Sequence, residues 1–333
     1  MGFKYLSAEH CSANPSMFAK VVAASRSLTD GATLYTVHLR APRIVWGEIL
    51  THRVFSRNAR SSRAVPVKAM LNEVRNDPFV PWHWTGAKRG MQGVPGHDKP
   101  ILLKGSAGQF IDADLPVDPA SAWLHGRDMA ADLAESFLDS DYHKQVVNRL
   151  IEPYSWIDGL ITATDWNNFF HLRDHGDAEP HLQDLARITE VALARARVSD
   201  LEPGDWHLPF ITKEDWIYAV DFYPNFDQGA DFLRRVSAAR CARISYTPFD
   251  GQASYEREIE RYNLLIQSER LHASPTEHQA TPDRMAQSVT VVSGDGGYEE
   301  RTEGMAYENA GLHGNLKGFI QARKLLPGEF VHG

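Results

Sequence analysis

The chain has 333 residues, 43% of them apolar and 23% charged, with a formal net charge of −8. That length suits one large domain or two ordinary ones, and the acidic balance disfavours a general nucleic-acid binder, which carries a basic footprint. Only Cys11 and Cys241 occur, which excludes a disulfide-dense scaffold and a cysteine-built metal site and fits a reducing, cytoplasmic setting. No window holds eighteen uninterrupted apolar residues and the N-terminus lacks a long apolar segment, so neither a membrane span nor a signal peptide is expected.

Residues 19 to 40 read as a hairpin whose strands flank an Asp30-Gly31 turn, with Pro42 ending the second strand. Residues 43 to 55 follow with Ile44, Val45, Ile49 and Leu50 near helical spacing, predicting a helix that delivers His52 and Arg53 at its C-terminal end. Residues 77 to 117, rich in Gly and Pro and holding Trp82 and Trp84, read as a lid or ligand-facing excursion. Asp118-Pro119 opens a helix whose apolar face includes Trp123, Met129, Leu133 and Phe137. A second helix over about 141 to 151 carries Val146, Val147 and Leu150 and stops before Pro153.

Residues 157 to 163 form a short apolar run, and Thr164 or Asp165 caps a helix holding "WNNFFHLR". Glu179-Pro180 opens another helix, to about 197. Residues 199 to 230 read as loop with a short helical piece after Thr212. Ser254 caps a long helix to about 271, with Tyr255, Ile259, Tyr262 and Ile266 on one face. Residues 288 to 293 are a strand candidate, and 294 to 304 read as mobile. Residues 314 to 324 read as an exposed amphipathic helix; their alternative role is to bring Asn315, Gln321 and Arg323 to a site.

Three clusters carry chemistry. "THRVFSRNARSSR", residues 51 to 63, gathers hydroxyls, an amide and forked guanidiniums, a set that suits phosphate oxygens; a solvated basic loop has the same composition. "NRLIEP" with "TDWNNFFHLR" places Arg149 in the last turn of a helix, where the helix dipole also favours a cation, and sets Asn168 and Arg173 on a short aromatic helix. "RLHASPTEH" closes the long helix. His272, Glu277 and His278 lack a standard zinc spacing, so no metal is expected, and residues 274 to 277 read as a turn whose hydroxyls meet a cofactor or cap a chain end.

Together these segments resemble the flavin-dependent thymidylate synthases. That family's signature runs Arg-His-Arg, two residues, Ser, one residue, Asn-Glu, one residue, Ser, one residue, Arg; here stand Thr51-His52-Arg53, Ser56, Asn58-Ala59, Ser61 and Arg63. "LYTVHLRAP" is similar to the strand leading into that signature, "RLIEP" to the family's Arg-x-x-x-Pro, and "NFFHLR" to its Asn-x-x-x-x-Arg. "AARCARISY", residues 238 to 246, resembles the family's opening segment, yet it follows the arginine signature instead of preceding it. A circular permutation accounts for that order, family order being recovered by joining His278 to about Thr33, and it requires residues near 278 and 33 to be neighbours.

The resemblance implies a mixed α/β (α+β) fold with long helices in a single domain. Residues 1–205 would be the family's C-terminal part, 206–235 a connecting segment, 236–280 the family's N-terminal part and 281–333 an extension. It implies reductive methylation of dUMP to dTMP by a homotetramer, with methylenetetrahydrofolate as carbon donor, FAD as hydride carrier and NADPH as reductant. Ser61, Arg63, Arg149 and Arg173 would face the nucleotide, with Arg149 stabilising charge at the base edge and Ser61 beside it in the catalytic set. His52, Arg53, Asn58, Asn168, Ser245, His272, Ser274 and Glu277 would lie along the flavin. Thr51 for Arg, Ala59 for Glu and Glu48 for the usual Gln depart from the pattern. They motivate the alternatives: one-carbon transfer to another pyrimidine nucleotide, or a non-catalytic nucleotide binder.

Overall fold

The computed structural model describes residues 14–104, 116–245, 254–267, 271–293 and 299–329. In chain order the strands and helices begin with β1 (Phe18–Ser27), β2 (Thr33–Pro42), α1 (Trp46–Ile49), β3 (Ser56–Ala59) and α2 (Val67–Asn76). The two-residue strands β4 (Thr85–Gly86) and β5 (Val94–Pro95), then α3 (Pro119–Asp139), α4 (Lys144–Val147), β6 (Trp156–Ala163), α5 (Asn167–Arg173), α6 (Pro180–Arg195) and β7 (Ser199–Leu201) follow. The C-terminal part comprises α7 (Lys213–Phe222), α8 (Phe226–Arg243), α9 (Tyr255–Ile266), β8 (Ala280–Pro282), β9 (Met285–Ser293), β10 (Glu299–Tyr307) and β11 (Phe319–Gln321). Among the described residues, no helix is long and apolar enough to cross a membrane.

The central sheet has the order β3-β6-β2-β1-β7, antiparallel except for the parallel β1–β7 pair, so it is mixed. The expected hairpin is β1–β2, with Gly31 at φ +76° in the turn, a conformation that favours glycine. Alternate residues of the strands face opposite sides. Val37, Leu39, Ala41, Ile157, Ile161 and Ala163 pack on Leu182, Leu185, Ala186 and Leu193 of α6 and on Phe55, Phe79, Trp166 and Phe169.

The opposite face is polar and nevertheless buried, for Ser25, Thr36, Ser56, Asn58, Asp158 and Thr162 are all less than a tenth exposed. Such a face is stable only if its groups find partners. Ser25, Thr36 and Thr162 do so through a chain of side chains. Ser25 Oγ meets His207 Nδ1 at 2.8 Å, His207 Nε2 meets Thr36 Oγ1 at 2.7 Å, Thr36 Oγ1 meets Thr162 Oγ1 at 2.7 Å, and Thr162 Oγ1 meets His278 Nδ1 at 2.8 Å. Leu34, Ala280, Leu316 and Phe319 form a small core beside this chain. Residues near 278 and 33 are therefore neighbours.

α8 packs against α7, α9 and the 274–277 turn, forming a helical layer. Within it, buried Arg240 donates to both Asp215 oxygens and to the Phe210 carbonyl, and the Tyr255 hydroxyl donates to Asp215 Oδ1 at 2.9 Å. Burial pushes the Asp215 carboxyl up, but Arg240 and the Thr212 N–H outweigh it and hold the group below its ordinary range.

Several expectations need correction. The helix predicted over 43 to 55 is a 3-10 turn at Arg43–Val45 followed by the single turn of α1, and His52 lies beyond it; Arg57 donates to the carbonyls of Leu50 and His52 and closes the turn early. β3 and α2 were not expected, although Val67, Met70, Leu71 and Val74 have helical spacing and are buried. Residues 226 to 230, expected in a loop, begin α8; it is buried along most of its length, Ser237 and Arg240 included, so no apolar stripe announces it. The helix expected over 141 to 151 is α4 plus 3-10 turns, since Pro153 cannot continue an α-helix.

Trp82 does not face outward from a lid: it packs beside Phe79 and donates from Nε1 to Asp184 at 2.9 Å. Leu133 is exposed, while Ala131 and Ala134 supply the buried face of α3. Residues 299 to 304, read as mobile, belong to β10 and pair with β9; 294–298 lie outside the described residues. Residues 314 to 324 are not a helix but a turn, β11 and a 3-10 segment, with Gln321 buried, because β11 pairs with β8.

The two buried imidazoles generate a pH prediction. Burial, and for His207 also the neighbouring His278, lowers each pKa from its ordinary value near 6.5 to about 3. Between these values the unfolded chain binds protons that the folded one refuses. Their contribution is complete above pH 6.5 and declines as pH falls towards 3, by at most ~2.7 kcal/mol per pH unit for two groups. Urea midpoints at pH 7.5, 6.5 and 5.5 are expected to fall across the lower interval; a midpoint constant from 6.5 to 5.5 would contradict the neutral pair.

Candidate functional site

The arginines of residues 51 to 63 divide into two kinds. Arg57 is occupied with the carbonyls of Leu50 and His52, at 3.0 and 2.8 Å. Arg60 is paired with Glu73 beneath α2, and Arg43 donates to the Arg60 carbonyl at 3.3 Å. Arg53 and Arg63 are exposed, and among the described residues neither has a hydrogen bond or an ion pair. Two guanidiniums thus build the segment and two are available to an anion.

His52 is buried beside Phe55 and Phe169. Arg173 donates from Nε to His52 Nε2 at 3.0 Å, from one terminal nitrogen to Glu48 Oε2 at 2.9 Å, and from the other to Thr51 Oγ1 at 3.0 Å. Accepting at Nε2 places the imidazole proton on Nδ1. Burial, with the charges of Arg173 and Arg57, holds the His52 pKa below its ordinary value. Glu48 and Thr51, two departures from the family pattern, are thus the groups that occupy Arg173.

The loop after β3 is tied to two distant segments. Buried Asn148 donates from Nδ2 to the carbonyls of Ser62 and Val65, at 2.7 and 2.9 Å, and so fixes residues 61–65 against the turn carrying Arg149. The Ser61 N–H donates to the Ser245 carbonyl at 3.3 Å. Arg149 itself is exposed and bonded to Glu152 at 3.1 Å. Asn168 is exposed at the start of α5.

The third cluster also reaches β3. Residues Ser274–Glu277 form a 3-10 turn packed against that strand, and His278 closes it on Thr162, the residue opposite Ser56. His272 and Ser274 are exposed, while Glu277 is ion-paired with Arg323. The structure therefore gathers residues 52 to 63, the turn bearing Arg149, Ser245 and residues 274 to 278 around one sheet edge. It joins Arg173 directly to His52, but gives Arg149 and His272 no side-chain hydrogen bond or ion pair with that pair among the described residues.

Cys241 is fully buried, its thiol pushed well up by burial, and it packs rather than reacts. Among the described residues, no group of three or more His, Cys, Asp or Glu side chains is able to hold a metal ion. A groove of 790 Å³ lined by Tyr218, Phe232, Tyr255 and Ile259 lies on the helical layer, and no candidate residue lines it. Sequence reasoning missed Asn148, although it adjoins Arg149, because a buried amide that holds a loop has no spacing of its own.

The donor set suits an anion such as a phosphate. Arg53, Arg63 and the Ser61 hydroxyl are open to an anion, and buried Asn58 keeps an unpartnered Nδ2 next to the 274–277 turn, as does His278 its Nε2. No protein-family model matches the chain, and no curated protein matches it. Among solved structures, the UMP/dUMP methylase PolB from Streptomyces cacaoi bound with 5-Br UMP is similar at 14% identity and a TM-score of 0.37, over 55% of this chain and 90% of that one. Its complex with 5-Br dUMP is similar at 14% identity and a TM-score of 0.39, over 55% and 91%. Both are distant likenesses.

Asn148→Ala removes a buried donor from two carbonyls and is expected to cost about 1–3 kcal/mol. Hydrogen exchange should rise at residues 61–65 ahead of the rest of the fold. Unchanged exchange there would show that the loop is held by something else.

Proposed function

We propose that this chain transfers a one-carbon unit to a pyrimidine nucleotide as a circularly permuted, divergent relative of the flavin-dependent thymidylate synthases, with dUMP to dTMP as the leading reaction. The observation that carries the reading is the meeting of four sequence-distant, signature-like segments at β3, held by the Asn148–Ser62 and Ser61–Ser245 hydrogen bonds and by the 274–277 turn. The small core shared by Leu34 and Ala280 supports the permutation.

In this reading Arg63 and Ser61 take the nucleotide's phosphate oxygens, and Arg53 lies along the flavin. Arg149 stabilises negative charge developing at the edge of the base, a role a fixed guanidinium performs well where water is excluded. Its exposure in one chain is consistent with a pocket completed by a neighbouring copy in a homo-oligomer, a tetramer by resemblance. Asn58, Ser274 and the Ser245 region would hold the isoalloxazine side of FAD. FAD would supply hydride transfer when bound, with methylenetetrahydrofolate as carbon donor and NADPH as reductant.

One observation favours another pyrimidine nucleotide as substrate. Arg173, placed at the nucleotide by resemblance, is occupied by Glu48, Thr51 and His52, so the base or ribose contacts differ from the family pattern. Incubating the protein with dUMP or dCMP, methylenetetrahydrofolate and NADPH, and weighing the products, separates the two readings; turnover of dCMP alone would refute dUMP as substrate. A yellow protein with an oxidised-flavin spectrum is expected, and a colourless one that binds no added FAD would favour a non-catalytic binder. Arg149→Ala is expected to keep flavin and lose product formation by about two to three orders of magnitude; normal turnover in that variant would remove Arg149 from the mechanism.

A further inference from the structure

The C-terminal segment enters the candidate site from behind. Gln321, 2% exposed at the end of β11, lies with its Nε2 3.0 Å from Ser56 Oγ, 3.1 Å from Asn315 Oδ1 and 3.2 Å from the Glu277 carbonyl. Ser56 donates to Asn315 Oδ1 at 2.9 Å, and Asn315 donates from Nδ2 to the Val54 carbonyl at 3.0 Å. The ring of bonds thus spans the start of β3, residues 315 and 321, and the turn before His278. Arg323 adds an ion pair to the Glu277 carboxylate, so the same segment holds Glu277 by backbone and by side chain. Gly314, at φ +59°, leaves room for the carboxamide: a Cβ there would stand 2.7 Å from Gln321 Oε1.

We infer that Gln321 is a positioning residue of the candidate site, which sets β3 against the 274–277 turn and thereby fixes Asn58 and Ser274 for the flavin. The inference rests on the proposed function for its ligand. A carboxamide suits the task because its nitrogen offers two N–H donors where three oxygens converge, whereas a carboxylate there would repel Asn315 Oδ1 and the Glu277 carbonyl. Gln321 is too buried to touch a ligand, so it acts through Ser56 and Glu277. These residues lie on the two elements that the resemblance assigns to the cofactor, while the segment carrying Gln321 has no counterpart in that resemblance.

The test uses the full chain with Gln321→Met, which keeps the bulk without the bonds, beside Gln321→Ala and Gln321→Glu. FAD binding is followed by quenching of flavin fluorescence and by the absorbance spectrum of the bound flavin, and hydrogen exchange is mapped along the chain. All three variants are expected to bind FAD roughly tenfold or more weakly, as a displaced first contact does, with an altered flavin spectrum and faster exchange confined to residues 54–59 and 274–279. If Met restores wild-type FAD affinity and spectrum, Gln321 only fills space and the inference fails. If the unmodified protein binds no FAD, the proposed function fails instead. Exchange in the Met variant then decides the positioning claim: faster exchange confined to those two stretches upholds it, and unchanged or chain-wide exchange overturns it.

Discussion

The structure depends on keeping one face of a β-sheet both polar and dry. Ser25, Thr36 and Thr162 would each cost free energy in that position without partners. Two neutral histidines brought in from far along the chain, His207 and His278, close the set. The three hydroxyls, both nitrogens of His207 and Nδ1 of His278 each serve the next group, so the network depends on all its members. Completing it joins the hairpin, β6, the loop before α7 and the turn after α9. The same interaction that makes the face stable is what collects the segments of the candidate site.

The candidate site repeats this economy with charge. Of the guanidiniums near β3, Arg57 and Arg60 are used to shape the chain, and Arg173 holds His52 in a neutral tautomer between Glu48 and Thr51. Arg53 and Arg63 are left to solvent, and Arg149 is exposed but bonded to Glu152. The helical layer contributes the buried Arg240–Asp215 pair, a costly arrangement unless every bond is made; the Phe210 carbonyl, the Thr212 N–H and the Tyr255 hydroxyl make them. It anchors α8, which delivers Ser245 to Ser61.

The C-terminal segment is neither a tail nor a free helix. Asp283 receives hydrogen bonds from His313, Asn309 and the Arg284 N–H, and this clasp fixes the path that carries Asn315 and Gln321 onto β3. A segment beyond the family-like parts is therefore built into the same edge of the sheet as the signature-like residues.

Much of the local structure was legible in the sequence. The Asp30-Gly31 hairpin, the caps at Asp118, Glu179, Thr212 and Ser254, and the apolar run of β6 all follow from short-range chemistry, which acts within a few residues. The adjacency of residues near 33 and 278 was also expected from the sequence. What the sequence could not decide was which of its arginines are spent internally, that α8 is a helix with no apolar stripe, that Asn148 pins the loop, and that Gln321 reaches Ser56. Each depends on a partner dozens or hundreds of residues away. Periodicity and capping are properties of neighbours along the chain, whereas the satisfaction of a buried polar group is a property of neighbours in space, and only the tertiary structure sets those.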